Sequence, residues 1–559
     1  MSPTPDAGHS AARPADSALL NGVVYTADAA HTVAQAVAVT DGRIAAVGSD
    51  DDVRRLCDPA TRVIDLDGRL VLPGFIDSHA HASETVGEVF GVGLKGLGSL
   101  EAYVAAVRAF AADHPELPAI RGWGWSNVVT PGHGPTAAAL DAAVADRPAL
   151  LHSEDGHSLW ANSLALRLAG VGIDTPDPPN GLIERDPATG APSGTLREGA
   201  QQLVDGAAAP FSSDQCAAGL RHFQRAVAGP LGITSVFDPM LVAGGPIFDA
   251  FEALQRAGEL TVRFRAGFWL RSDLPLDEQL RTAAAERARH HGALFQADTV
   301  KLFADGVIES HTAFLDEPYA DTPGDRGFPE WPPAALNAAS VAAAGAGFEL
   351  HYHAIGDAAT AMALDAIAAA RAAGHAGGRP AITHVQLTRP GDIERFAELG
   401  VTAVLNPYWF LRDDYFYDLQ VPCLGLSRAE REYPMASFFA AGVPVAAASD
   451  FPVTVPPDPL AGIQVGVMRW FAGEAAAGDV LWPAERVGVE QMIDSFTIAG
   501  ARAHGLDSET GSLEAGKSAD LIVVDTNILA VPAAEIGSAK VLLTVFGGDE
   551  VYRAAQFTA

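Results

Sequence analysis

Val71-Leu72-Pro73-Gly74-Phe75-Ile76-Asp77-Ser78-His79-Ala80-His81 is an apolar run that ends in two histidines at i and i+2. Side chains two apart on a strand point to the same face. Neutral imidazole is a common ligand of zinc and related metals. A histidine pair at the C-terminal end of a strand lies where TIM-barrel sites open. Taken alone, the pair is weak evidence, and two exposed loop histidines are the simpler reading.

Seven further strand-like runs follow: Ile233–Asp238, Val262–Phe268, Thr299–Phe303, Phe348–His353, Ala381–His384, Val401–Leu405 and Val443–Ala447, the last leading to Asp450. With the opening run, taken as Leu72–His81, they make eight, alternating with Ala-rich helical segments. That pattern indicates an α/β fold with a parallel sheet, either a (β/α)8 TIM barrel or an open sheet. About 150 residues separate the first two runs, against the dozen or so a crossover needs. An inserted subdomain is expected over 83–215.

Both ends of the chain are β-like. Asp41-Gly42 and Gly547-Gly548 are two-residue hairpin signals between short strands. One β-sandwich built from 17–70 and 505–559 accounts for both ends, leaving 71–504 as the barrel and 1–16 as a disordered tail.

Chemistry recurs at the ends of the later runs. Lys301, one of only four lysines in the chain, lies in an apolar strand. A desolvated ammonium tends to lose its proton, and a neutral amine can form a carbamate that bridges two metals. The alternative is a core-edge lysine paired with Asp305 or Glu309. His351 and His353 form a second i, i+2 pair, His384 ends the next run, and Asp450 follows the last. Each is weak alone. Their order converges on one barrel mouth.

Trp123 and Trp125, with Trp409 and Phe410 after the seventh run, are able to wall an apolar pocket or to fill a core. In the insertion, His152, Asp155, His157 and Asn162 form a polar group, and Asp155-Gly156 is also a common turn signal.

These motifs resemble the amidohydrolase superfamily, and within it amidohydrolase family 3, the YtcJ-like branch that includes N-substituted formamide deformylase. The resemblance is carried by Leu72 to His81, Asp155-Gly156-His157, Gly232-Ile233-Thr234-Ser235, Lys301 with Ala304-Asp305-Gly306, His353-Ala354-Ile355-Gly356-Asp357, Arg431-Glu432-Tyr433-Pro434, Ser449-Asp450 and Gly511 to Leu521. It implies a metal-dependent TIM barrel and a divalent metal, zinc most simply, as one or two ions. It implies His79 and His81 on a buried metal and His353 and His384 on a second. Lys301, carboxylated on its side-chain nitrogen, would bridge them. Asp450 would be metal ligand and proton shuttle, and the catalytic residue. His351 is the competing choice on its strand and is assigned behind the ligands. Asp155, His157, His311, His351, Trp123, Trp125 and Trp409 are the expected pocket residues. Two segments depart from the branch: Val307 to Ala313, where Gly and Arg are usual near Glu309 and His311, and Thr383-His384-Val385-Gln386, where Glu usually precedes the histidine.

The implied reaction is hydrolysis of an amide C–N bond, with the aromatics favouring a hydrophobic amide or N-substituted formamide over a sugar or a nucleotide. The alternatives are a deaminase or cyclic-amide hydrolase on the same scaffold, or a non-catalytic binding or regulatory barrel. The retained ligand set opposes the last.

Composition sets outer limits. With 37 basic and 69 acidic residues the formal net charge is −32, a surface that repels nucleic acid and anionic membrane. Cys57, Cys216 and Cys423 are far apart and form neither a disulfide framework nor a metal spacing. No basic n-region precedes an apolar segment at the N-terminus, so a cytoplasmic location is expected. The expected partner is a small-molecule amide, and a homodimer is the assembly to test.

Overall fold

A computed structural model describes residues 13–178, 180–474, 476 and 478–558. Most of the tail expected over 1–16 therefore lies outside the described residues. Eight parallel strands form one sheet in sequential order: β1 (Phe75–Asp77), β2 (Ile233–Leu241), β3 (Arg263–Trp269), β4 (Phe295–Phe303), β5 (Glu349–Ala354), β6 (Ala381–His384), β7 (Thr402–Leu405) and β8 (Val445–Ala447). The Ser78 N–H donates to the Ala447 carbonyl at 3.1 Å, linking β1 to β8, so the sheet curls into a barrel rather than staying open. Helices such as Pro246–Ala257, Leu276–Arg289 and Asp357–Ala372 separate the strands. Strands buried on both faces read as unbroken apolar runs, which explains Val300 and Leu302 beside Leu350 and Tyr352 in the core.

The opening run corrects the expectation of a single strand. Leu70–Pro73 pairs antiparallel with Leu521–Val524 in a different, six-stranded sheet, and only Phe75–Asp77 belongs to the barrel. Gly74 makes the transfer. Its N–H donates to the Asp520 carbonyl at 3.0 Å, and a Cβ there would lie 2.3 Å from Thr234 Oγ1. That six-stranded sheet takes strands from both ends of the chain, as does its apolar cluster with a four-stranded N-terminal sheet: Val37, Ile44 and Ile64 meet Val523 and Leu543. Both hairpin signals hold. Asp41 and Gly42 have φ of 50° and 73°, and Gly547 and Gly548 of 56° and 85°, the left-handed values such a turn requires.

Barrel and terminal sheets are joined by a buried ion pair. Arg263 Nη1 lies 2.7 Å from Asp520 Oδ2, while Asp520 Oδ1 accepts from Ser518 Oγ and the Gly547 N–H. Removing one partner leaves a buried charge uncompensated, so Asp520→Ala should destabilise the protein by about 3–5 kcal/mol. Urea denaturation of the variant checks this; a midpoint equal to wild type would show the pair to be dispensable.

Between β1 and β2 a mixed six-stranded sheet spans Val92 to Glu198. Tyr103 and Val107 of helix Leu100–Asp113 pack on one side of it with Trp125 and Trp160. No helix among the described residues is long and apolar enough to cross a membrane.

Candidate active site

The segment after β1 is pinned from both sides. Ala80 N–H donates to Phe237 O at 3.0 Å, His81 N–H to Phe451 O at 2.7 Å, and Asp450 N–H to His79 O at 2.8 Å. These bonds hold His79 and His81 on one face, each with Nε2 near Asp450 Oδ1, at 3.4 and 3.2 Å. Asp450 itself has φ 57° and His384 φ 72°, left-handed values that strain non-glycine residues and concentrate at functional sites.

Lys301, His353 and His384 come in from β4, β5 and β6. Adjacent strands pair Lys301 with His351, Phe303 with His353, and Ala354 with His384. One donor atom each from His79, His384 and Asp450 lies within 4.8 Å of the others. Lys301 Nζ is 3.2 Å from His79 Nε2 and 4.8 Å from the centre of the Phe303 ring. Lys301 pairs with neither Asp305 nor Glu309. Asp305 accepts the N–H groups of Phe314, Ile355 and Gly356, and Glu309 is bonded by the Tyr415 hydroxyl.

Electrostatics prepare these groups to bind a cation. Burial and the Lys301 charge push the His79 imidazole well below its usual range; burial and the His384 charge do the same to His353. Burial brings His384 to about 4 and the Lys301 ammonium to about 7. Burial raises the Asp450 carboxyl, but the His81 hydrogen bond and the His384, His81 and Lys301 charges outweigh it and hold the group at about 2. Neutral imidazoles at His79, His353 and His384, an ionised carboxylate and a lysine that gives up its proton near neutrality are the protonation states metal ligation needs. At His81 burial is outweighed by the hydrogen bond and charge of Asp450 and the charge of Glu84, which raise it, so its proton would have to leave on ligation. The donor set therefore fits a divalent ion.

Supporting residues fix the orientation of the rings. His351 Nε2 is 2.7 Å from His79 Nδ1, and Asn406 Oδ1 is 2.9 Å from His384 Nδ1, leaving the opposite nitrogens to the centre. Asn406 had no signal in the sequence beyond its place after β7.

Above this floor opens a cavity of about 820 Å³. The floor residues His79, His81, Lys301, His353, His384 and Asp450 all line it, and Trp123, Asp155 and His157 of the insertion form one wall. Met240, Trp269 and Phe303 contribute apolar surface. His157 Nδ1 is 2.8 Å from Glu198, and its ring centre is 5.1 Å from that of His353. Burial lowers His157, but the charge and hydrogen bond of Glu198 prevail and raise it to about 9. Glu198 was not legible in the sequence. Its φ of 46° marks it only once the backbone is known.

Four expected pocket residues do not line the cavity. Trp125 is fully buried and donates to the Leu151 carbonyl, because a bulge at Gly124 (φ 103°) breaks the i, i+2 alternation with Trp123. Trp409 stacks on His384 at 5.3 Å and donates to Thr454, behind the floor. His351 lies beneath His79. His311, with φ 56°, turns to Asp321 at 3.0 Å. Phe410 is core, stacked on Tyr433. Asn162 caps the helix Ser163–Leu168 and supports the backbone around it.

Known proteins place this geometry. The amidohydrolase family model matches residues 62–552. Protein LONG AFTER FAR-RED 3 of Arabidopsis thaliana is 32% identical, over 96% of this chain and 92% of that one. N-substituted formamide deformylase of Arthrobacter pascens is 29% identical, over 95% and 97%. The crystal structure of an uncharacterized metal-dependent hydrolase from Pyrococcus furiosus superposes with a TM-score of 0.69 at 26% identity, covering 92% of this chain and 99% of that one. The chain belongs to the amidohydrolase family, as a metal-dependent hydrolase acting on carbon–nitrogen bonds.

Proposed function

We propose that this enzyme hydrolyses the C–N bond of a hydrophobic amide, with N-substituted formamides as the substrate class. The observation that carries the reading is one cavity whose floor holds His79, His81, Lys301, His353, His384 and Asp450 and whose walls include Trp123, Trp269 and Phe303. The 29% identity to a formamide deformylase over nearly the whole chain supports the same substrate class.

In this reading His79 and His81 would hold one ion and His353 and His384 a second, and Lys301, if carboxylated, would supply a ligand to both. Asp450 completes the first site. A divalent ion held there, zinc most simply, supplies the Lewis acidity that acidifies a water and polarises a carbonyl. The protein's own groups do the rest. Asp450, ionised throughout the neutral range, takes the proton of the attacking water and returns it to the leaving amine. His157, kept protonated by Glu198, lines the cavity and steadies the negative charge that grows on the carbonyl oxygen. Asp155 accepts a hydrogen bond from Asn127 and braces the His157 N–H at 2.8 Å. The division into a barrel over 71–504, an insertion over 83–215 and a composite sandwich fits this scheme, with the insertion selecting the substituent on nitrogen.

A panel of N-benzyl and N-alkyl formamides against polar N-acyl amino acids tests the proposal, with formate and ammonia assayed separately. Formate release from the apolar set is expected. Turnover confined to the polar set, or ammonia as the sole product, would overturn it.

A further inference from the structure

His311 turns away from the cavity toward a second group of ligand-type side chains. Its Nε2 lies 3.0 Å from both carboxylate oxygens of Asp321. Cys423, 4% exposed on the short helical turn Val421–Leu424, places Sγ 3.9 Å from Asp321 Oδ2. One donor atom from each of the three lies within 4.8 Å of the other two. None of the three lines the cavity.

Three features separate this group from an ordinary surface ion pair. The donors are an imidazole, a carboxylate and a thiol, a set that suits zinc or cobalt rather than magnesium or calcium. Ligands at 2.0–2.3 Å around a tetrahedral zinc are about 3.3–3.8 Å apart, and the observed 3.0 and 3.9 Å bracket that spacing. His311 also keeps a left-handed backbone, φ 56°, which a non-glycine residue adopts at a cost of roughly 1–2 kcal/mol. The Tyr319 ring backs its imidazole with centroids 4.5 Å apart, and the Ala320 N–H donates to the Cys423 carbonyl at 2.7 Å, so the three ligands are held in register.

We propose that His311, Asp321 and Cys423 form a structural site for zinc or a similarly thiophilic divalent ion, tying the loop after β4 to the segment after β7. Water fills the fourth position. On binding, a Cys423 S–metal bond forms and the thiol proton leaves to solvent. The clamped loop also carries Glu309, which Tyr415 of the opposite segment already bonds.

The test is cobalt titration of the full-length, metal-depleted protein under reducing, anaerobic conditions. The barrel-floor donors contain no thiol, so a near-ultraviolet thiolate-to-cobalt band reports on cysteine alone. Wild type should show the band together with a metal equivalent beyond those held at the floor. Cys423→Ser should lose both, while Cys57→Ser and Cys216→Ser keep them. His311→Ala, which spares the buried thiol, should weaken cobalt binding at the band by more than the roughly tenfold lower bound for losing a residue that only supports a ligand. No band in wild type, or a band that survives Cys423→Ser, would overturn the site and leave a simple His311–Asp321 ion pair. Either result is independent of whether the barrel hydrolyses formamides.

Discussion

Replacing Lys301 with alanine is expected to remove one ion and reduce kcat/KM by more than the ~100-fold typical of residues that only support a ligand. Lys301 is 1% exposed and its amine has no carboxylate partner within ion-pairing distance among the described residues. Its Nζ lies 3.2 Å from His79 Nε2 and feels the charge of Asp450, where a bridging group would be expected. Carbamate formation joins a neutral amine to carbon dioxide and releases a proton. Burial brings the amine to about 7, so the reactive form accumulates as pH rises through that value and is lost below it. Reconstitution of metal-depleted protein with zinc and bicarbonate should therefore be more complete at about pH 8 than at about pH 6. Elemental analysis of Lys301→Ala is the direct measurement. Two ions retained with near-normal activity would rule out the bridge.

Asp450→Asn should lower kcat by roughly 10²–10⁴-fold, the range for loss of a positioned proton-transfer group. The amide matches the carboxylate in size but cannot take a proton from water, so KM should change far less than kcat. The carboxylate draws His81 toward its charged form through their hydrogen bond, whose effect opposes burial of the imidazole. Steady-state kinetics with parallel metal analysis separate the outcomes. Activity within about tenfold of wild type would assign proton transfer elsewhere.

Much of this was legible because parallel barrel strands are apolar from end to end and carry their chemistry at one end. The second H-x-H pair illustrates the limit. His351 and His353 share a strand face, yet the first contacts His79 and the second lines the cavity. Local alternation gives the face, not the depth. Trp125 failed for another local reason, since the bulge at Gly124 reverses the side a rigid alternation predicts. Glu198 and Asn406 belong to strands and turns distant in sequence from the histidines they hold. Only tertiary pairing could reveal them.

The transfer at Gly74 has a consequence for synthesis. Leu70–Pro73, which leads directly into the His79–His81 platform, is flanked in its sheet by Leu521–Val524, and that strand by Val541–Phe546. A ribosome releasing this chain from its N-terminus produces every proposed ligand before it produces that flanking pair. The centre is therefore expected to mature late, with firm metal uptake awaiting emergence of the last strands. Nascent chains stalled before residue 521 would carry the complete set of proposed ligands without a rigid seat for its first two members.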